Sequence, residues 1–315
     1  MDERFAIARM KPIAAVLLLC VALLLLSTHQ TFAQNTSSDE TAAETEPEEA
    51  KAGSETAQRR RLLKRVGPQP LTTEEQQEAQ RLSRIARSQG TDPTAIVGRV
   101  QLSNEYDALT SRSRVNILSG RVDVPYGGNW LLSVITPLRW SHLNGLRNED
   151  GLGDVFVRTG ARLYTVPGYA FFAAADFTLP TATDPQLGLG KYTVAPTAAT
   201  ARVFPHIDSL LFAVLQQQLS FGGDPSRRDV SISRLSVFFN TVWTERWWTQ
   251  IQAVGQLDWQ RDGKSSLTLE FEGGHRLTRE WLLWVRPGVG VLGRDVIGSY
   301  EWNLEVGVRR MFASF

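Results

Sequence analysis

Toward the end of the chain, apolar and polar residues alternate one by one. Tyr300, Trp302, Leu304, Val306 and Val308 share one face, while Glu301, Asn303, Glu305, Gly307 and Arg309 share the other. Leu267, Leu269 and Phe271 alternate with Thr268, Glu270 and Glu272, and Ile251, Ala253, Leu257 and Trp259 oppose Gln250, Gln252, Gln256 and Asp258. A period of two marks β-strands with one dry and one wet face. Followed back to Ile96, the pattern gives twelve candidate strands, near 96–107, 113–124, 130–142, 153–166, 169–179, 191–203, 209–221, 229–243, 247–260, 265–277, 281–292 and 299–312.

Connections between these runs alternate in length. Residues 125–129, 166–168, 205–208, 244–246 and 278–280 make short turns, whereas 144–151, 181–190 and 222–229 are longer and more polar. Short periplasmic turns and longer external loops are the asymmetry of an outer-membrane barrel. In lipid every backbone N–H and C=O must be paired internally, so a spanning sheet has to close on itself. The expected fold is all-β: a transmembrane, antiparallel, up-and-down β-barrel of about twelve strands, apolar outside and polar within. Aromatic residues fit two interfacial belts. Trp130, Tyr169, Trp247, Trp248 and Trp281 stand beside short turns with Trp243 just before one, and Tyr106, Trp140, Trp259 and Trp302 lie near the other rim. Phe315 misses the register of Val306 and Val308 by one position, which a bulge near Arg309-Arg310 would restore. That C-terminal strand is the expected contact with the barrel assembly machinery.

Residues 1–33 read as a signal peptide: Arg4, Arg9 and Lys11, an apolar run from Ile13 to Leu26, then Thr31-Phe32-Ala33. The run is short for a spanning helix. The single cysteine, Cys20, lies within it, so the mature chain has no thiol for disulfides, nucleophilic catalysis or metal binding. Residues 34–70 start acidic and end with the basic patch Arg59, Arg60, Arg61, Lys64 and Arg65, and form an expected disordered linker in the periplasm. One short helix is expected within 71–90, from the capping pair Thr72 and Glu75 to Gly90, with Arg81, Arg84 and Arg87 late in it. Its apolar stripe is thin, only Ala79, Leu82, Ile85 and Ala86. It could plug the lumen or stand outside the barrel, and so small an apolar area favours the outside position. A net charge of +1 argues against a strongly basic nucleic-acid binder.

Asp150-Gly151-Leu152-Gly153-Asp154 running into the strand Val155 to Thr165 resembles a mark of a bacterial outer-membrane family. That family is labelled MetA-pathway of phenol degradation, or simply transporter. Phe177-Thr178-Leu179-Pro180-Thr181 followed by Gly188-Leu189-Gly190-Lys191-Tyr192 is similar to it too, as is the closing Glu305 to Phe312. The resemblance runs from Ile96 to the end and implies a monomeric barrel passing small, aromatic or apolar molecules. It supplies no set of binding residues, and the long N-terminal extension departs from it.

Asp154, Arg158, Arg162 and Asp176 are the candidate lumen constriction, and Arg121, Arg139, Arg234, Glu270, Glu272, Arg286, Glu301 and Glu305 are further lumen-facing charges. They would form either a selectivity filter or a paired network that stiffens the lumen. Residues 181–190 are long enough to fold inward, but the backbone's need for partners favours the outside. Asn148-Glu149-Asp150 with Asp154 carries only part of a calcium-loop pattern and reads as a polar turn. Hydrolytic chemistry is not favoured: Ser141 and His142 are adjacent in a strand and point to opposite faces, His206 sits in a tight turn, and His275 lies on the lipid face without a nearby serine. No catalytic residue, metal or cofactor is assigned. The expected role is passive passage of a small-molecule solute across the outer membrane, with lipid and lipopolysaccharide around a monomer. A non-conducting structural or tethering barrel and a membrane-embedded lipid hydrolase are the alternatives.

Overall fold

The computed structural model describes residues 71–110, 112–293 and 296–312. The expected signal peptide and linker, and Phe315, lie outside the described residues. Residues Glu75–Phe315 form one compact unit. Helix α1 (Thr73–Gln89) precedes β1 (Gly98–Thr110), β2 (Ser113–Tyr126), β3 (Trp130–His142), β4 (Glu149–Leu152), β5 (Val155–Val166), β6 (Tyr169–Leu179) and β7 (Lys191–Phe204). Strands β8 (Ser209–Gly223), β9 (Ser231–Val242), β10 (Trp247–Asp258), β11 (Lys264–Arg276), β12 (Trp281–Leu292) and β13 (Trp302–Phe312) complete it. Each strand pairs antiparallel with its sequence neighbours, except that β4 and β5 both pair with β3, and β1 closes the ring on β13.

The thirteen segments make twelve staves, because β4 and β5 both lie along β3 as two parts of one strand. Below the break Ile135 faces Phe156, and above it Leu138 faces Leu152, so one extra residue is accommodated at Gly153-Asp154. The break sits opposite Pro137, which has no N–H to give, and the Gly153 N–H reaches the Pro137 carbonyl instead (2.9 Å). The stave expected from 153 therefore starts at Glu149, and the loop before it is shorter than the sequence suggests.

Face assignments on β10, β11 and β13 follow the alternation. Ile251, Leu269, Phe271, Leu304 and Val306 are exposed on the outer wall, while Gln250, Gln256, Glu272, Asn303, Glu305 and Arg309 are buried within. An apolar outer band of this extent needs hydrocarbon around it, which makes the barrel membrane-spanning. Five details differ from expectation. Ile96 and Val97 precede β1 rather than belonging to it. Trp248 is not in the interfacial belt: it points inward at 1 % exposure, over Gly274, where a Cβ would fall within 2 Å of its ring. Tyr300 and Glu301 stand before β13, and Tyr300 is buried inside, its hydroxyl on Glu270 (2.6 Å), because Gly290 leaves room for the chain to fold in there. Finally β13 pairs with β1 and β12 in unbroken register, so there is no bulge at Arg309-Arg310, and Arg310 points outward to Glu280. Trp259 likewise leaves its strand for a short 3-10 turn.

Gly98 faces Phe312, so both ends of the barrel chain lie at the rim of the short turns. That rim is called the turn end below, and the opposite one the loop end.

Candidate functional site: an occluded, charge-lined lumen

The segment between α1 and β1 does not run along the outside. Residues 89–97 enter the barrel at the turn end, where inward-facing side chains of four strands hold its backbone. Arg309 of β13 donates to the carbonyls of Gln89 (3.2 Å) and Gly90 (2.8 Å), and Arg99 of β1 also donates to Gly90 (3.3 Å). Gln250 of β10 donates to Thr91 (3.3 Å), and Arg162 of β5 gives Nε and Nη2 to the Thr94 carbonyl (3.1 and 2.8 Å). Arg276 of β11 donates to the Ser88 hydroxyl. Irregular backbone at this depth needs such partners, since the lumen wall offers it no ladder.

Helix α1 lies across the turn end. Its thin stripe is enough there: Ala79, Leu82 and Ala86 are wholly buried and Ile85 nearly so. Gln89 donates to the Thr244 carbonyl (3.1 Å), and His206 meets Glu75 (2.7 Å), tying the helix to two separate turns. Beyond the helix, Ile96 packs on Phe172, Ala199 and Val214 of the β6–β8 wall, and Val97 on Trp248, Leu282, Trp284 and Met311 of the β10–β13 wall. Two adjacent residues thus pack on apolar clusters of two separate walls.

The plug is held by bonds more than by area. Burying one such side chain contributes roughly 1.5–3 kcal/mol. Fixing each residue's backbone costs about 1–2 kcal/mol, so over nine residues the packing of two side chains falls well short. The arginine bonds to carbonyls, at about 1.5–3 kcal/mol for a charged donor, then decide whether the plug is in or out. Asp92 acts the other way. Burial raises its carboxyl above the ordinary aspartate value, against the Thr94 N–H and hydroxyl it accepts and the charges of Arg162 and Arg87.

Above the plug the four residues of the expected constriction separate into three levels. Arg162 belongs to the plug. Arg158 and Asp176 face each other in mid-lumen as a bidentate pair (2.6 and 2.8 Å), and Asp176 also takes bonds from Thr197 (2.8 Å) and Gln216 (2.6 Å). Asp154 lies near the loop end, where its carboxylate accepts the Ala182 (3.2 Å) and Leu189 (2.5 Å) N–H groups. It anchors the 180–190 loop. That loop turns inward rather than staying outside: Leu187 is wholly buried, and its carbonyl takes a bond from Arg139, an inward residue of β3 (3.2 Å). From the neighbouring loop Arg227 holds the carbonyls of Pro185, Gly188 (2.7 Å) and Leu189 (3.4 Å).

The remaining charges fall in three places. Arg121 and Arg99 share Asp123 (2.8 Å each), and Arg234 donates to Gln256 (3.0 Å). On β11, β12 and β13, Arg286 sits among Glu270 (3.2 Å), Glu272 (3.7 Å) and Glu305. Glu301 is not part of this lining stave, since β13 begins at Trp302. Ser141 is buried inside while His142 lines an outer groove, and His275 stacks on the exposed Trp247 (4.0 Å between rings).

No protein-family model matches the chain, and no curated protein matches it by sequence. Solved structures do share the fold. A crystal structure of the COG4313 outer membrane channel from Pseudomonas putida F1 superposes with a TM-score of 0.57 at 13% identity, covering 69% of this chain and 96% of that one. The NanC porin superposes with a TM-score of 0.50 at 10% identity, covering 68% of this chain and all of the other.

Proposed function

We propose that this protein is an outer-membrane channel for small molecules, closed in the state described here by its own residues 89–97. The observation that carries this reading is the lodging of this segment at the turn end of the lumen, with Ile96 and Val97 packed on two walls and arginine-to-carbonyl bonds that break without unfolding any strand. The two channels named above lend support through their fold alone. The turn end, with α1, faces the periplasm, and the held-in 180–190 loop narrows the outer mouth. Inward Phe172, Phe212, Phe238 and Trp248 beside the plug suit an aromatic or apolar solute, in keeping with the family that the Gly-rich motifs resemble. Uptake into proteoliposomes tests this. A chain lacking residues 34–97 should admit small aromatic solutes at least tenfold faster than the full chain. Equal rates would overturn the plug, and no uptake by either would make the chain a non-conducting barrel.

A further inference from the structure

Helix α1 is bonded to the rim at its two ends. Glu75 meets His206 near its start, while Ser88 and Gln89 meet Arg276 and the Thr244 carbonyl at its finish. Between these holds a cavity of about 350 Å³ lies between the helix and the turn ends of β5–β8. Gln80, Ser83, Arg84 and Arg87, spaced to share one helical face, line it on the helix side. Asp92 and Arg162 line it beside the plug, and Ala170, Ala201, Val203 and Leu210 give it an apolar floor. Its charges do not balance. Arg84 makes no hydrogen bond or ion pair among the described residues, and Arg87 gives only its Nε, to the Ser83 carbonyl one turn back (3.1 Å). Arg162 gives Nε and Nη2 to the Thr94 carbonyl and keeps Nη1. The one carboxylate of the lining, Asp92, takes the Thr94 N–H and hydroxyl (2.8 and 2.7 Å), and burial favours its neutral form. Three guanidinium groups thus border the cavity with no carboxylate bonded to any of them.

Cations beside an apolar floor suit an anion with an apolar body. Among anions a carboxylate fits the planar fork of a guanidinium, oxygen to nitrogen. We propose that the cavity between α1 and the barrel binds a small organic carboxylate, with Arg84, Arg87 and the remaining nitrogen of Arg162 taking its charge and Ala201, Val203 and Leu210 its apolar body. The helix supplies one side of this site and the barrel the other, so the ligand binds only while α1 is docked. By linkage, binding then holds α1 down. As a brake on opening the site rests on the plug reading, but as a binding site it stands apart from it.

The probe is sodium benzoate, titrated calorimetrically into the refolded full chain in neutral detergent. Acetate, which lacks the apolar body, and benzyl alcohol, which lacks the charge, are titrated beside it. Saturable binding of benzoate is expected, about tenfold tighter than either control. Arg84→Gln should weaken it about tenfold, the effect of one charged hydrogen bond. Ser83→Leu should weaken it too, without changing charge, by filling the cavity. Neither change touches a strand, and migration on unheated gels checks that both barrels are folded. With benzoate at roughly ten times its Kd, trypsin cleavage after Arg81, which does not line the cavity, should slow about tenfold. Equal binding of acetate or benzyl alcohol, no saturable binding, binding untouched in the folded variants, or unchanged cleavage after Arg81 would overturn the site. Unchanged uptake on truncation would instead overturn the plug and leave this site standing.

Discussion

Arg162 gives two of its nitrogens to one carbonyl, that of Thr94, and has no carboxylate in its grip. That makes it a direct hold on the plug, to which its charge on the buried Asp92 adds. Arg162→Ala should raise the open fraction of single channels by about 10- to 100-fold, from the usual 1.5–3 kcal/mol of a charged hydrogen bond. An unchanged open fraction would remove Arg162 from the gate. Asp92 gives the plug a dependence on acid. Its carboxyl is raised in the docked plug, so the neutral form is favoured there. Docking is firmest below the ordinary value of 3.8, and loses that contribution as pH rises through the higher docked value. Closure should therefore tighten on acidification, and Asp92→Asn should flatten the response in channel recordings taken across the acid range. Neither role was legible in the sequence. Arg162 reads there as one more inward charge on an alternating strand, and only its nearness to a segment 68 residues earlier gives it a partner.

At the scale of elements, alternation carried most of the strand faces, since a period of two leaves little choice once one face is apolar. It failed where the chain departs from period two. Leu163 is an extra residue between Arg162 and Tyr164, and both Leu163 and Tyr164 reach the outside. Trp248 shows the other limit: a tryptophan beside a turn suits the interface or the lumen equally, and Gly274 on the next strand decides. Helix α1 was legible as a helix but not as a cap. Four small or medium apolar residues look too few for docking on a flat surface. They suffice in a ready-made rim, where Leu82 is wholly buried. Leu82→Asp would put a charge there without a partner and should release α1 while leaving the strands intact. Limited trypsin digestion should then cut after Arg81, Arg84 or Arg87 at least tenfold faster, with the barrel core resistant. Digestion at the parent rate would mean that the helix docks by some other surface.

For the whole molecule, the barrel follows from the chain's need to pair its backbone in lipid, and its closure from residues that the strand pattern excludes. Ile96 and Val97 look like the first residues of a strand, yet a continuous strand there would leave the lumen open at its turn end. The barrel's inward arginines pull the preceding backbone in instead. The walls above hold their charges in local pairs, Arg158 with Asp176 and Arg286 with Glu270, Glu272 and Glu305. The most direct test is the conductance of single barrels in a planar bilayer, comparing the full chain with one lacking residues 34–97. The full chain should stay closed or open only in rare, brief steps, and the shortened chain should show long-lived open steps of constant size. Long-lived steps of the same size from both would contradict a lumen closed by its own N-terminal segment.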